Sequence, residues 1–216
     1  MAHMIVTEWL GSVPVAFVAE HVLGRLMARP GAPSPTLWYL TRALAISAYV
    51  ALTLSILFGA LRSIARQSRE RVSWMVDELH QFLAALAGGL VLGHLVTLLL
   101  DPFLPFSVQN LLLPLNEPYR PLPVILGVLG LYSMIVLLFT SWFRSLMPYA
   151  FWRGLHYVSF IAFILVTAHG LLAGSDASEP WMRAIYAGAA GAFGFVTLIR
   201  LVGAARKPKS QVARSA

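Results

Sequence analysis

The chain has 216 residues, of which 58% are hydrophobic and only 12% are charged. Soluble domains carry about 25% charged and 45–50% apolar residues, so this composition excludes an ordinary soluble protein and indicates an integral membrane protein. The sequence contains no cysteine, which excludes disulfides, thiolate-ligated iron–sulfur clusters and cysteine nucleophiles.

The apolar blocks predict the transmembrane helices, since each span needs about 20 mainly apolar residues. The first block, 9–28, contains Pro14, Glu20 and Arg25, so it either spans the membrane or lies in the interface as an amphipathic helix. We favour a span. Five later blocks are long and apolar enough to span clearly: 37–61, 79–100, 122–143, 151–173 and 182–203. The sequence therefore predicts an all-α membrane protein, a bundle of five or six transmembrane helices.

The formal net charge of +7 is unevenly distributed among the connecting segments. The two alternate connections are poor in net positive charge; their charged residues are Asp101, Glu117 and Arg120 in one, and Asp176, Glu179 and Arg183 in the other. Most basic residues lie in the other connections and the tail: Arg62, Arg66, Arg69, Arg71, Arg144, Arg153, Arg206, Lys207, Lys209 and Arg214. This pattern is typical of topology signals rather than of nucleic-acid binding, and the positive-inside rule places these segments and the C-terminus in the cytoplasm. A sixth span would put Arg25 and Arg29 outside, against that rule.

The connection 101–121 differs from the apolar blocks because it contains five prolines and only short apolar runs. It is too broken to span, and we expect it to form a folded cap on the outer surface. The chain has neither a G-x-G-x-x-G fingerprint nor a P-loop, so a nucleotide site of those types is excluded.

Two of the clear blocks each contain two histidines. His80 and His94 are 14 positions apart, and His156 and His169 are 13 apart. Fourteen steps of an ideal α-helix rise about 21 Å and return to within about 40° of the same face. Thirteen steps rise about 20 Å but leave the two side chains about 140° apart, which predicts a bend or a local change of winding.

Both blocks run from the cytoplasm outward under the charge rule, so His80 lies level with His156 and His94 level with His169. Each pair offers two imidazoles to one iron. Haem is the natural occupant because histidine is a common axial ligand and a large apolar macrocycle suits a helix bundle. Neighbouring glycines would permit close approach of a flat ring: Gly88, Gly89, Gly93, Gly154 and Gly170. The alternative of another class is a non-redox membrane subunit whose histidines bind a metal ion or pack.

The histidine spacing also resembles that of a known family. H-x13-H on one helix and H-x12-H on a later one, with W-R-x-L-H at 152–156 and H-G at 169–170, resemble the ferric reductase-like transmembrane domain shared with NADPH oxidases. The stretches 39–61 and 105–132 look like its bacterial members, so the resemblance covers about 37–203. The pattern is less similar to that of the quinol-oxidising cytochrome b of respiratory complexes, in which the H-x13-H spacing occurs twice.

The resemblance implies two stacked b-type haems, the inner one on His80 and His156 and the outer one on His94 and His169. It further implies electron transfer from a cytoplasmic or membrane donor to an outer-side acceptor. The protein would then be an oxidoreductase component, a membrane cytochrome subunit of the bacterial inner membrane that needs a partner for complete activity. The chain divides accordingly into an N-terminal segment, a haem domain and a basic cytoplasmic tail: 1–36, 37–205 and 206–216.

The sequence departs from full-length ferric reductases and NADPH oxidases, which append flavin- and nicotinamide-binding domains after the last helix. We therefore expect electrons from a separate flavoprotein, a bound flavin or a quinol, and an outer-side redox partner is a further candidate. A related bacterial haem subunit that serves a periplasmic methionine sulfoxide reductase also lacks those domains, and a quinol-fed role of that kind is the alternative function. Arg153, close to His156, is either a contact for haem propionates or an anionic flavin, or an interfacial anchor.

Overall fold

The computed structural model of the protein describes residues 35–67, 74–102, 106–113 and 120–205. The predicted block 9–28, nearly all of the segment 1–36 and the tail 206–216 lie outside these residues. Whether 9–28 spans the membrane therefore stays a prediction.

The described residues form seven α-helices: α1 (Pro35–Gln67), α2 (Trp74–Leu100), α3 (Val108–Leu112), α4 (Pro121–Trp142), α5 (Tyr149–His156), α6 (Val158–Ala173) and α7 (Pro180–Ala205). A short 3₁₀ turn, Arg144–Leu146, precedes α5. Five stretches are long and apolar enough to cross a membrane: α1, α2, α4, α5 with α6, and α7. The five clear spans predicted from the sequence are thus confirmed, and the chain is an all-helical, multi-pass membrane protein.

The sequence explains where several helices begin. The helices α1, α4 and α7 start at prolines, Pro35, Pro121 and Pro180. Proline suits the first helical position because its missing N–H would have no partner there and its fixed φ is already helical. The first turn of α2 carries Asp77, whose negative charge is favourable near the positive end of the helix dipole.

The spans are arranged in two pairs. The helix α1 packs along α2, and α4 packs along α6, while α7 lies against α1. The two pairs face each other across a cavity lined by residues of α1, α2, α4 and α6. This arrangement matters for the site because the histidines predicted to bind haem lie on α2 and on the α5–α6 segment, which belong to different pairs.

An aromatic cluster joins α1, α6 and α7. The ring of Tyr49 stacks on Phe163 with 6.1 Å between centroids and meets Tyr186 edge-on at 5.2 Å. The Tyr49 hydroxyl lies 3.2 Å from the Thr167 hydroxyl oxygen, so this buried polar group has a partner within the bundle. A satisfied hydroxyl is required there because the bilayer core offers no water.

Two ion pairs secure α1 at opposite ends. Near its beginning, Arg42 pairs with Asp176 in the connection between α6 and α7. Near its end, Arg62 Nε lies 2.6 Å from Asp77 Oδ1 in the first turn of α2. Below we call the end of the bundle with Asp77 the inner end and the end with Asp176 the outer end, following the charge rule.

The described part of the connection 101–121 folds onto the outer end of the helices, in agreement with the predicted cap. Ser107 and Asn110 form a capping box at the start of α3. Phe106 is buried against Val124 and Val128 of α4, and the Tyr132 hydroxyl donates to the Leu112 carbonyl. Phe106 and Leu111 of this segment line the cavity.

The predicted change of winding lies directly after His156, where α5 ends and α6 begins beyond Tyr157. The Tyr157 N–H donates to the Gly154 carbonyl at 3.2 Å, and the Phe160 N–H donates to the Tyr157 carbonyl at 3.1 Å. These bonds span three residues, as in a 3₁₀-helix, which turns by about 20° more per residue than an α-helix. The tighter winding rotates His169 toward the face that carries His156.

We expect Gly130→Ala to destabilise the bundle by about 1–3 kcal/mol, because overpacking forces neighbouring groups to shift. An added Cβ at Gly130, on the face of α4 that meets α6, would lie 2.8 Å from Cγ1 of Val166. The control is Gly191→Ala in α7, where an added Cβ meets no described atom within 4 Å. That change should leave stability unchanged or raise it by up to about 1 kcal/mol, since alanine is the better helix former. Thermal unfolding in detergent measures both, and equal effects would contradict close packing at Gly130.

Candidate functional site

At the inner end, the structure brings His80 of α2 next to His156 of α5. Their ring centroids are 6.1 Å apart and their planes meet at 78°. When two imidazoles bind one metal from opposite sides, each nitrogen lies about 2 Å from the metal, so the ring centroids lie about 6 Å apart. The observed separation fits two imidazoles that share one metal.

At the outer end, His94 of α2 and His169 of α6 line the same cavity, which has a volume of about 280 Å³. Its walls are mainly apolar side chains from both helix pairs, with a few polar groups that include Thr41, Arg42 and Asp176. An apolar cavity with a few convergent polar groups is typical of a binding site for a large apolar ligand. His94 and His169 thus share one cavity, and His80 lies against His156; the ligation of iron by these pairs stays a prediction.

Three of the four imidazoles are held in the same way, by a hydrogen bond from Nδ1 to a backbone carbonyl of a neighbouring helix. The acceptors are Ser55 for His80 at 2.8 Å, Thr41 for His94 at 3.1 Å, and Pro123 for His169 at 2.7 Å. A carbonyl only accepts, so Nδ1 carries the proton and Nε2 keeps its lone pair. Metal-binding histidines are commonly oriented in this manner, so these residues fit iron ligation through neutral imidazole.

The acceptor helices make room for the imidazoles with small residues. Gly59, Gly127 and Ala45 each stand four positions after one of the three acceptor residues. Because Cα–Cβ bonds tilt toward the helix N-terminus, the side chain at that position would cover the carbonyl one turn earlier. A Cβ at Gly59 would lie 3.0 Å from Cε1 of His80, and one at Gly127 would lie 2.7 Å from Nδ1 of His169. The small residue at each of these positions leaves space for the imidazole ring to reach the carbonyl.

His156 is held differently from the other three. Within the described chain its Nδ1 is buried and has no hydrogen-bond partner. The Trp152 ring stacks on it with 5.0 Å between centroids and 28° between planes. The guanidinium of Arg144 lies 5.4 Å from the centre of the Trp152 ring. Trp152 therefore covers the ring of His156 in the inner pair.

Arg153 is exposed, and its guanidinium donates to the Tyr149 hydroxyl at 3.2 Å, one turn earlier in α5. A contact with haem propionates or a flavin stays a prediction for this residue. Arg144 is a cation that the structure links to His156, through Trp152. The sequence alone places Arg144 only among the basic residues of the connections, since its contact with Trp152 depends on the 3₁₀ turn that precedes α5.

The glycines next to the histidines in the sequence are not the ones against the rings. A Cβ at Gly88 would meet Leu138, one at Gly93 would meet Leu44, and Gly170 lies against the Tyr186 hydroxyl. At Gly89 and Gly154 an added Cβ meets no described atom within 4 Å. Gly59 and Gly127 were missed because they lie on helices without histidines, and only the packing of α1 on α2 and of α4 on α6 brings them to the rings.

A comparison with protein families matches residues 44–167 to the ferric reductase like transmembrane component. The match covers more than half of the chain. The chain belongs to this family. Neither the curated proteins nor the solved structures give a significant match. The matched region of this ferric reductase-like component includes His80, His94 and His156, and His169 lies two residues beyond it.

Members of the family typically bind b-type haems, and the residues present fit that group. The donor set is two pairs of imidazoles, three of them oriented by carbonyls, and the outer pair lines an apolar cavity. At family level, the ferric reductase-like component is an oxidoreductase membrane component, and membership implies haem-based transmembrane electron transfer.

We expect Gly127→Ala to displace the His169 ring and break its hydrogen bond to Pro123, since the new Cβ would lie 2.7 Å from Nδ1. The measurement is ¹⁵N nuclear magnetic resonance of histidine-labelled protein, in which the hydrogen-bonded Nδ1–H signal of His169 should shift or disappear. Gly89→Ala is the control because an added Cβ there meets no described atom within 4 Å. An unchanged His169 signal in Gly127→Ala would show that this glycine does not position the ring.

Proposed function

We propose that this ferric reductase-like component carries electrons across the membrane through two b-type haems. His80 and His156 bind the inner haem, and His94 and His169 bind the outer one. The main support for this proposal is that two pairs of imidazoles lie at two levels of the bundle. Each pair has one histidine from α2 and one from the α5–α6 segment. The haem iron supplies one-electron chemistry, with ferric and ferrous states.

The protein contributes orientation, spacing and exclusion of water. The carbonyls of Ser55, Thr41 and Pro123 hold three imidazoles with Nε2 directed away from the acceptor helix. His80 and His94 are separated by a rise of about 21 Å along α2. Two redox groups at these levels divide a hydrocarbon core of about 30 Å into shorter steps. Apolar side chains around the cavity keep water from the outer pair.

The distribution of positive charge supports an electron donor on the cytoplasmic side. Arg144 and Arg153 lie at the inner end, and Arg144 lies against Trp152, which covers His156. Arg62 contributes less to a docking surface because it pairs with Asp77, and Arg69 and Arg71 lie outside the described residues. We favour a separate flavoprotein as the donor and an outer-side acceptor, in the bacterial inner membrane with a cytoplasmic C-terminus.

Single histidine substitutions test the pairing. His80→Ala and His156→Ala should each remove the inner haem, and His94→Ala and His169→Ala should each remove the outer one. Each variant should keep about half of the haem, unless loss of one group also unfolds the apoprotein, because binding and stability are linked. Haem content and redox titration of the purified chain measure this, with Gly191→Ala as a control that keeps both haems. A colourless wild-type chain from haem-replete cells, or loss of the same component in His80→Ala and His169→Ala, would overturn the proposal.

The ionic-strength dependence of haem reduction tests the donor. Reduction by a flavoprotein that docks on the cationic inner end should slow as salt is added, because salt screens the attraction that raises the encounter rate. Reduction by a lipid-soluble quinol should change little. NADPH alone should not reduce the isolated chain at a useful rate. Rapid reduction by NADPH would contradict both routes, and salt-independent reduction by quinol alone would favour the quinol-fed haem subunit of a periplasmic oxidoreductase.

A further inference from the structure

The ion pair between Arg42 and Asp176 lies in the wall of the cavity that holds the outer histidines. Arg42 Nε donates to Asp176 Oδ2 at 2.7 Å, and Arg42 Nη2 pairs with Asp176 Oδ1. Both residues line the cavity together with His94 and His169. A two-point contact between guanidinium and carboxylate holds both partners in one orientation more firmly than a single contact does.

The pair connects the two backbone segments that carry the outer site. Arg42 directly follows Thr41, whose carbonyl accepts the hydrogen bond from His94 Nδ1. Asp176 follows His169 by seven residues, in the connection that leaves α6. The Glu179 N–H donates to the Asp176 carbonyl at 2.9 Å, so this connection is itself folded as a turn. A bond between Arg42 and Asp176 therefore holds the acceptor of one outer histidine against the helix of the other.

The two charges are only partly accessible. The Asp176 side chain is 11% exposed and the Arg42 side chain 31%. The rings of Trp38 and Tyr39 lie 5.8 Å and 5.6 Å from the Arg42 guanidinium carbon, where aromatic faces attract a cation. Because water screens such groups incompletely, each charge would act on the cavity more strongly if the other were removed.

We propose that Asp176 neutralises Arg42 beside the outer histidine pair and thereby sets the reduction potential of the iron bound there. Reduction of ferric to ferrous iron adds one electron, supplied by the donor or by an electrode. An uncompensated positive charge near the iron favours reduction and makes the reduction potential more positive. An uncompensated negative charge opposes reduction and makes the potential more negative. Arg42 and Asp176 are positioning and charge-balancing residues in this role. The inference rests on the proposed function because it needs a haem at His94 and His169.

The direction of the shift in reduction potential distinguishes charge neutralisation from a purely structural role of the ion pair. If the pair only braced α1 against the α6–α7 connection, loss of either partner would loosen the same site and move the potential in the same direction. If the charges cancel, removal of one partner exposes the other, and the two single substitutions act in opposite directions. The double substitution removes both charges and should return the potential toward that of the wild type.

The experiment is a spectroelectrochemical redox titration of the haem-loaded chain and its variants. Asp176→Asn should shift the outer component to a more positive potential, and Arg42→Gln should shift it to a more negative one. The double variant should lie between them, and the inner component should stay in place. The matched control is Asp77→Asn, which breaks the corresponding ion pair with Arg62 at the inner end and should leave the outer component unmoved.

Shifts of both single variants in one direction, or no shift in either, would overturn the proposal while haem remains bound. A wild-type chain without haem overturns the proposed function instead, so the two failures are distinguishable. If Asp176→Asn does not fold, Asp176→Glu keeps the charge and should hold the outer potential near the wild-type value. A double-mutant cycle in thermal unfolding of the haem-free chain should show coupling between the two residues. Additive effects there would overturn the contact itself.

Discussion

The arrangement of the site depends on the rule that a polar N–H in the hydrocarbon core must find an acceptor inside the protein. Three imidazoles meet this rule with backbone carbonyls of the neighbouring helix, those of Ser55, Thr41 and Pro123. Each bond has two effects. It joins two helices, and it leaves Nε2 as the nitrogen that is free to bind a metal. The stability of the bundle and the chemistry of the site therefore share the same hydrogen bonds.

This use of backbone acceptors restricts the size of side chains on helices that carry no histidine. A Cβ at Gly59 or Gly127 would lie 3.0 Å or less from the imidazole that bonds the carbonyl one turn earlier, and Ala45 stands at the equivalent position after Thr41. His156 lies outside this scheme, because α5 ends there and Trp152 stacks on its ring. The outer pair is held by two carbonyl bonds, and the inner pair by one carbonyl bond, at His80, together with the stacking of Trp152 on His156.

Charge is placed differently at the two ends of the bundle. At the outer end, Arg42 and Asp176 form a pair in the wall of the cavity that His94 and His169 also line. Among the described residues at the inner end, Arg144 lies over the Trp152 ring and Arg153 donates to the Tyr149 hydroxyl. The inner end therefore carries cations beside aromatic rings in addition to its own ion pair between Arg62 and Asp77.

The sequence by itself determined the membrane class, the five spans and the pairing of histidines by depth, because hydropathy and rise per residue follow from local composition and helix geometry. It also predicted a bend or a local change of winding between His156 and His169 from the angle between the two side chains on an ideal helix. Only the tertiary structure decided three features: the carbonyl partners of the imidazole N–H groups, the space that Gly59 and Gly127 leave for the rings, and the ion pair between Arg42 and Asp176. These contacts join residues that are distant in the sequence, 134 positions apart for the ion pair. They depend on which helix faces pack together, and the nearly uniform apolarity of the spans does not specify those faces.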